Sequence, residues 1–290
     1  MNKVGFIGVG IMGKSMVRNL MKAGFELHIY ARTKSKVEDV IGEGAQFHES
    51  IKDCVQDCDA VITIVGFPQD VEEVYFDEGN ILDSAKKGAY LIDMTTTSPQ
   101  IAEKIYEEGT KRGFHVMDAP VTGGDTGAKA GTLSILVGGE KEDYEACMPL
   151  FEAMGTNINY QGKAGCGQHC KLANQIMIAG TLSGVCEALT YAKEQGLDPE
   201  VFMKSVATGA AGSKQLDTFG PKILKDDYAP GFFMKHFIKD MKLALIEANR
   251  KGLSLDVLSM VLANYEELEQ EGYGDLGTQA LMKFYDEEHR

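Results

Sequence analysis

The chain has 290 residues, enough for two domains or one large one. Acidic residues outnumber basic ones 43 to 29, a formal charge of −14, which excludes a general nucleic-acid-binding surface but leaves room for a local basic site. No apolar run approaches the roughly 20 residues that span a bilayer, and the N-terminus lacks a basic-then-apolar signal segment, so a cytoplasmic protein with no membrane partner is expected.

Lys3-Val4-Gly5-Phe6-Ile7 reads as a short buried strand. Gly8-Val9-Gly10-Ile11-Met12-Gly13 follows it, and the spacing of Ile11, Met12, Met16, Val17, Leu20 and Met21 predicts a helix behind the turn. Strand, glycine turn and helix in that order aim backbone N–H groups and the positive end of a helix dipole at one point, where a pyrophosphate fits. Glu26-Leu27-His28-Ile29-Tyr30 predicts the second strand. An NAD site places a carboxylate near the end of that strand for the ribose 2′-OH. Here Ala31-Arg32-Thr33-Lys34-Ser35-Lys36 follows, with no carboxylate before Glu38. The guanidinium fork of Arg32, the hydroxyl of Thr33 and the charge of Lys36 suit a 2′-phosphate, which favours NADP while leaving NAD open.

Further strands are expected at Ala60–Val65, Ala89–Asp93, His115–Ala119, Leu133–Val137 and Asn157–Tyr160, with a helix opening near Ser98-Pro99. Strand–helix alternation implies an α/β fold, a doubly wound, mostly parallel Rossmann-type sheet, with ligands at the carboxyl ends of its strands. The pattern changes near residue 162, where Gly162, Gly165 and Gly167 suggest a flexible junction. Apolar residues at Leu172, Ile176, Ala179, Leu182, Val185, Leu189 and Ala192 then predict one long helix over 168–195. Helices broken around Gly196, Gly209–Gly212, Pro221 and Pro230 should fill the rest, giving a dinucleotide-binding domain over 1–162 and an all-α domain over 163–290. None of the six cysteines forms a C-x-x-C pair, and Cys166, His169 and Cys170 lack a second ligand pair of zinc spacing, so reduced thiols and no metal are expected.

Beyond the glycine turn, four clusters carry chemistry. Asp93-Met94-Thr95-Thr96-Thr97 ends a strand and turns hydroxyls toward the nicotinamide end of a bound dinucleotide. Asp118-Ala119-Pro120-Val121-Thr122-Gly123-Gly124 ends the next, and its glycines bare N–H groups that can hold a carboxylate. Lys171 stands near the start of the long helix with Asn174 and Gln175 three and four residues on, where the spacing puts lysine and amide on one face. Lys239-Asp240 lies in a helical, charged segment.

These motifs, in this order and spacing, resemble the β-hydroxyacid dehydrogenase family over essentially the whole chain. Phe6–Gly13 is similar to its cofactor signature, Asp118–Gly124 to its substrate signature with Thr122 in place of the usual Ser, Gly165–Asn174 to its catalytic signature, and Lys239-Asp240 with Leu243-Ala244 to its fourth segment. The resemblance implies Lys171 as acid/base and Thr122, Gly123 and Gly124 as the carboxylate clamp, with Asn174, Gln175 and Lys239 completing the substrate site. It implies cofactor contacts from Val65-Gly66-Phe67 along the adenosine and from Thr96, Lys239 and Asp240. The family usually has Asn where this chain has Gln175. Hydride transfer to or from a small carboxylate-bearing hydroxyacid, semialdehyde or keto acid follows, in a homodimer or homotetramer. Two alternatives stand beside it: an imine reductase-like enzyme, against which Lys171 argues, and a catalytically silent dinucleotide-binding interaction module.

Overall fold

A computed structural model describes residues 1–285. Its strands are β1 (Lys3–Ile7), β2 (Glu26–Tyr30), β3 (Gln46–His48), β4 (Ala60–Thr63), β5 (Tyr90–Asp93), β6 (His115–Asp118), β7 (Val121–Thr122), β8 (Leu133–Gly139) and β9 (Gly155–Gly162). Its α-helices are α1 (Ile11–Lys22), α2 (Glu38–Gly42), α3 (Ile51–Val55), α4 (Pro68–Phe76), α5 (Ile81–Ser84), α6 (Pro99–Lys111), α7 (Gly124–Ala130), α8 (Lys141–Ala146), α9 (Met148–Met154), α10 (Cys166–Glu194), α11 (Pro199–Val206), α12 (Lys214–Ile223), α13 (Met234–Arg250) and α14 (Asp256–Gln270).

All strands join one sheet in the order β3-β2-β1-β4-β5-β6-β8-β7, with β9 on the other side of β8. From β3 to β6 every pairing is parallel, while β8 runs antiparallel to β6 and β7. The first six strands thus have the doubly wound order whose direction of growth reverses between β1 and β4, and ligands bind outside the strand ends at that reversal.

Alternation along the strands explains why helices cover both faces. Val4, Phe6, Ala60, Ile62 and Ile92 point to one side and pack with Met16, Val17 and Leu20 of α1. Ile7, Val61 and Leu91 point to the other and pack with Val71, Val74 and Tyr75 of α4 and Ile105 of α6. Each fully buried side chain of this size is worth about 1.5–3 kcal/mol of transfer free energy, so a one-residue slip would exchange two cores for two exposed faces.

The chain divides into two compact units between Lys171 and Leu172, within α10. The helical unit has its own core, formed by Leu182, Val185, Cys186 and Leu189 of α10, Phe237, Ile238 and Met241 of α13, and Val261, Leu262 and Tyr265 of α14. Tyr265 is buried and spends its hydroxyl on the Thr278 carbonyl, 2.7 Å away.

Four sequence expectations change. The glycines at 162–167 do not form a flexible junction: a Cβ on Gly167 would stand 2.4 Å from the Leu136 carbonyl oxygen and 2.8 Å from Asp118 Oδ2, so this glycine permits close packing of α10 on the sheet. Pro221 lies inside α12, two residues before its last residue, and does not break it. The strand expected over 60–65 ends at Thr63, because the Val65 N–H turns to the Thr95 hydroxyl, 3.0 Å away, instead of continuing a ladder. And α10 is long and apolar enough, by length and composition, to cross a membrane, which short-window reading of the sequence missed because Lys171 and the amides interrupt the apolar run; its Leu172, Ala179, Leu182 and Leu189 are buried in the protein's own helical core.

Candidate active site

The glycine turn sits between β1 and α1, and its three glycines meet three different surroundings. A Cβ on Gly8 would lie 2.0 Å from the Ile64 carbonyl oxygen, and one on Gly13 would lie 2.1 Å from the Gly8 carbonyl oxygen. Those two permit the tight turn and the close approach of helix to strand. A Cβ on Gly10 would meet nothing within 4 Å. Gly10 is also the N-cap of α1 without a capping side chain, and the first turn carries no acidic residue. The space beside Gly10 is therefore open, at a helix N-terminus whose backbone donors suit a pyrophosphate, and a side chain there would fill it.

At the end of β2, Arg32 is exposed and its guanidinium donates to Asp70 Oδ1 at 2.8 Å. Asp70 Oδ2 accepts the Phe67 N–H at 2.9 Å. One carboxylate thus ties Arg32 to the Val65–Phe67 loop at the start of α4. Thr33 and Lys36 are exposed beside it, Thr33 as the cap of a short 3-10 turn over Lys34–Lys36.

The loop after β5 is pinned from both sides. Asp93 is buried, and its Oδ1 accepts the Thr63 hydroxyl at 2.7 Å and the Thr95 N–H at 3.1 Å. Burial pushes its carboxyl up to about 6. Gln168, wholly buried in the first turn of α10, accepts the Thr97 N–H at Oε1 (3.0 Å) and donates from Nε2 to the Thr95 carbonyl (2.7 Å). A backbone donor on one side and a backbone acceptor on the other fix the amide's orientation. Thr96 lies between the two bonded peptides.

Asp118 heads the motif that runs to Thr122–Gly124, but its carboxylate serves α10. Its carboxylate is buried at the end of β6 and accepts the Gly165 N–H at Oδ1 and the Gln168 N–H at Oδ2, both at 2.8 Å. Those are orphan donors of the α10 N-terminus, so Asp118 caps that helix from another element. Lys171, one turn beyond Gln168, is 7% exposed. Thr122 is half-buried at the end of β7, and Gly123 and Gly124 are exposed with φ of 132° and 64°, opening α7 in a backbone that only glycine adopts at ease.

Within the helical unit, Asn174 Nδ2 donates to Gln175 Oε1 (2.8 Å), Gln175 Nε2 donates to Asp240 Oδ2 (2.7 Å), and Lys239 Nζ stands 2.8 Å from Asp240 Oδ1 as an ion pair. Gln175 and Asp240 are 1% and 0% exposed. The extra methylene of Gln175 thus spends its amide on Asp240. The sequence names Asp93, Asp118 and Gln168 only as members of their motifs, with no role of their own, and does not single out Asp70. Gln168 alone left a usable sign, its place one helical turn before Lys171.

Residues 3–162 match the model of the NAD-binding domain of 6-phosphogluconate dehydrogenase, and residues 165–285 match that of the NAD-binding domain of NADP-dependent 3-hydroxyisobutyrate dehydrogenase. An uncharacterized oxidoreductase of Bacillus subtilis is 49% identical over 97% of this chain and 98% of its own. The 2-hydroxy-3-oxopropionate reductase of Escherichia coli is 37% identical over 87% of this chain and 86% of its own. The chain belongs to the β-hydroxyacid dehydrogenase family. A solved 3-hydroxyisobutyrate dehydrogenase of Mycobacterium tuberculosis, studied with L-serine, superposes with a TM-score of 0.89 at 26% identity, covering 98% of both chains. This β-hydroxyacid dehydrogenase is accordingly a nicotinamide-dependent oxidoreductase.

Proposed function

We propose that this β-hydroxyacid dehydrogenase prefers NADP and interconverts a small β-hydroxyacid with its semialdehyde or keto acid, with Lys171 as the acid/base. The observation that carries the reading is the docking of the first turn of α10, through Asp118 and Gln168, onto the carboxyl ends of β5 and β6, which brings Lys171 to the side of the sheet where ligands bind.

The N–H groups of Gly123 and Gly124 and the Thr122 hydroxyl hold the substrate carboxylate. The dinucleotide, when bound, supplies or accepts the hydride at the substrate carbon. In reduction Lys171 gives its ammonium proton to the carbonyl oxygen, which becomes the hydroxyl; in oxidation the neutral amine takes the hydroxyl proton back. Arg32, Thr33 and Lys36 receive the 2′-phosphate, which supports NADP over NAD.

Turnover of a panel of small hydroxyacids and semialdehydes, followed by dinucleotide absorbance, tests the reading. Lys171→Ala should lose roughly 10²–10⁴ in kcat, the usual scale of general acid–base catalysis, while still binding NADPH. Near-normal turnover by that variant would remove Lys171 from the mechanism.

A further inference from the structure

We propose that Gln168 is a positioning residue that locks the loop carrying Thr96 and the helical turn carrying Lys171 into one rigid body. The inference rests on the functional reading above. Its geometry does not: the Gln168 side chain grips Thr95 and Thr97 on either side of Thr96, and its own backbone N–H is gripped by Asp118. One residue therefore joins three chain segments, the ends of β5 and β6 and the start of α10.

Each bond of the clamp is enforced. Gln168 is wholly buried, so no water can replace the bonds to Thr95 and Thr97, and an unmade bond would leave a peptide group unpaired. Glycine on both sides lets the segments approach. A Cβ on Gly138 would come within 2.5 Å of Asp118 Oδ1 and 2.8 Å of the Gly167 nitrogen. The seat has no slack in which the helical turn could shift without moving the loop.

The chemical consequence follows from what the two ends do. On that reading Thr96 would lie against the nicotinamide end of a bound dinucleotide and so help set where the hydride is exchanged. Lys171 fixes where the proton leaves. Both must reach the same carbonyl, and a displacement near 1 Å can cost about a hundredfold in rate. Gln168 touches neither substrate nor hydride; it acts by keeping the two donors in register.

Two variants and two measurements test this. Gln168→Leu keeps the volume and removes both side-chain bonds. Backbone amide exchange in the dinucleotide-free protein should then accelerate together at residues 95–97 and 165–171. With substrate, kcat should fall ten- to a hundredfold, while the NADPH Kd stays within about threefold because the Gly8–Gly13 cradle is untouched. Gln168→Glu, should the leucine variant fail to fold, carries its own signature. Its protonated form restores both bonds, whereas its carboxylate faces the Thr95 carbonyl, so the ratio of its kcat to that of the wild type should rise as pH falls. Faster exchange in only one of the two segments, an unchanged kcat in folded Gln168→Leu, or a pH-independent ratio for Gln168→Glu would overturn the proposal. If the wild type turns over no member of the panel, the functional reading falls, and the exchange measurement still decides whether the clamp exists.

Discussion

At the scale of single residues, charge placement makes two predictions, one on dinucleotide binding and one on pH response. Arg32 does not wait idle for a phosphate: it is paired with Asp70 across 2.8 Å, so a bound 2′-phosphate has to compete with a carboxylate for the same fork. Arg32→Ala should weaken NADPH by about 1.5–3 kcal/mol, the worth of a charged hydrogen-bond pair, and NADH far less. Titration of both dinucleotides checks this, and equal losses would reassign the residue. Asp93 sets a second test. Its carboxyl, raised to about 6 by burial, is protonated in the folded chain across a pH range where an unfolded aspartate is already ionised. The folded state therefore binds the extra proton, and stability falls as pH rises from about 4 to about 6, then levels. Asp93→Asn keeps an acceptor for the Thr63 hydroxyl and the Thr95 N–H and carries no charge. Its unfolding free energy, measured by denaturant titration, should gain on the wild type over that same interval and hold the difference above it.

At the scale of elements, the glycine turn separates folding from binding. Gly13→Ala pushes a methyl to within 2.1 Å of the Gly8 carbonyl oxygen and should destabilise the fold by about 1–3 kcal/mol or more, as overpacking does. Gly10→Ala meets nothing in the protein and should melt like the wild type, yet lose dinucleotide affinity, because its methyl occupies the cradle. Thermal melts beside NADPH titrations distinguish the two. The same contrast explains what could be read from the sequence. The turn, the strands β1 and β2 and the long helix α10 announce themselves through local period and punctuation. Thr122–Gly124 and Lys171 can be singled out as candidates because their motifs are contiguous. The roles of Asp118 and Gln168 cannot be read from the same motifs, since their partners lie 47 to 73 positions away and no local pattern encodes a carboxylate capping a helix from another strand. β3 and β7, three and two residues long, fall below the length at which alternation has meaning.

At the scale of the whole molecule, the apolar residues form cores that stay within the units, two on the faces of the sheet and one among the helices. Unfolding should therefore take more than one transition, and calorimetry should return an enthalpy above the van't Hoff value. With the dinucleotide pyrophosphate bound beside Gly10, in the sheet unit, as proposed, NADPH at about a hundred times its Kd should stabilise that unit's transition by about 2.7 kcal/mol. A lone coincident transition in all probes, with and without NADPH, would show that the units unfold as one.

The cap of α10 also says something about how the chain reaches its native state. A helix normally begins on a side chain a residue or two away; this one begins on Asp118, and its first turn is held by peptides near residue 96. Those groups come into place only after β5 and β6 have joined the sheet, and they are all synthesised before α10 leaves the ribosome. The order of synthesis would let the growing chain complete this seat before the helix forms. Refolding from denaturant enjoys no such order, since α10, with its long apolar stripe, can coil and associate before the seat exists. Refolding yield should accordingly fall with protein concentration more steeply than yield from translation.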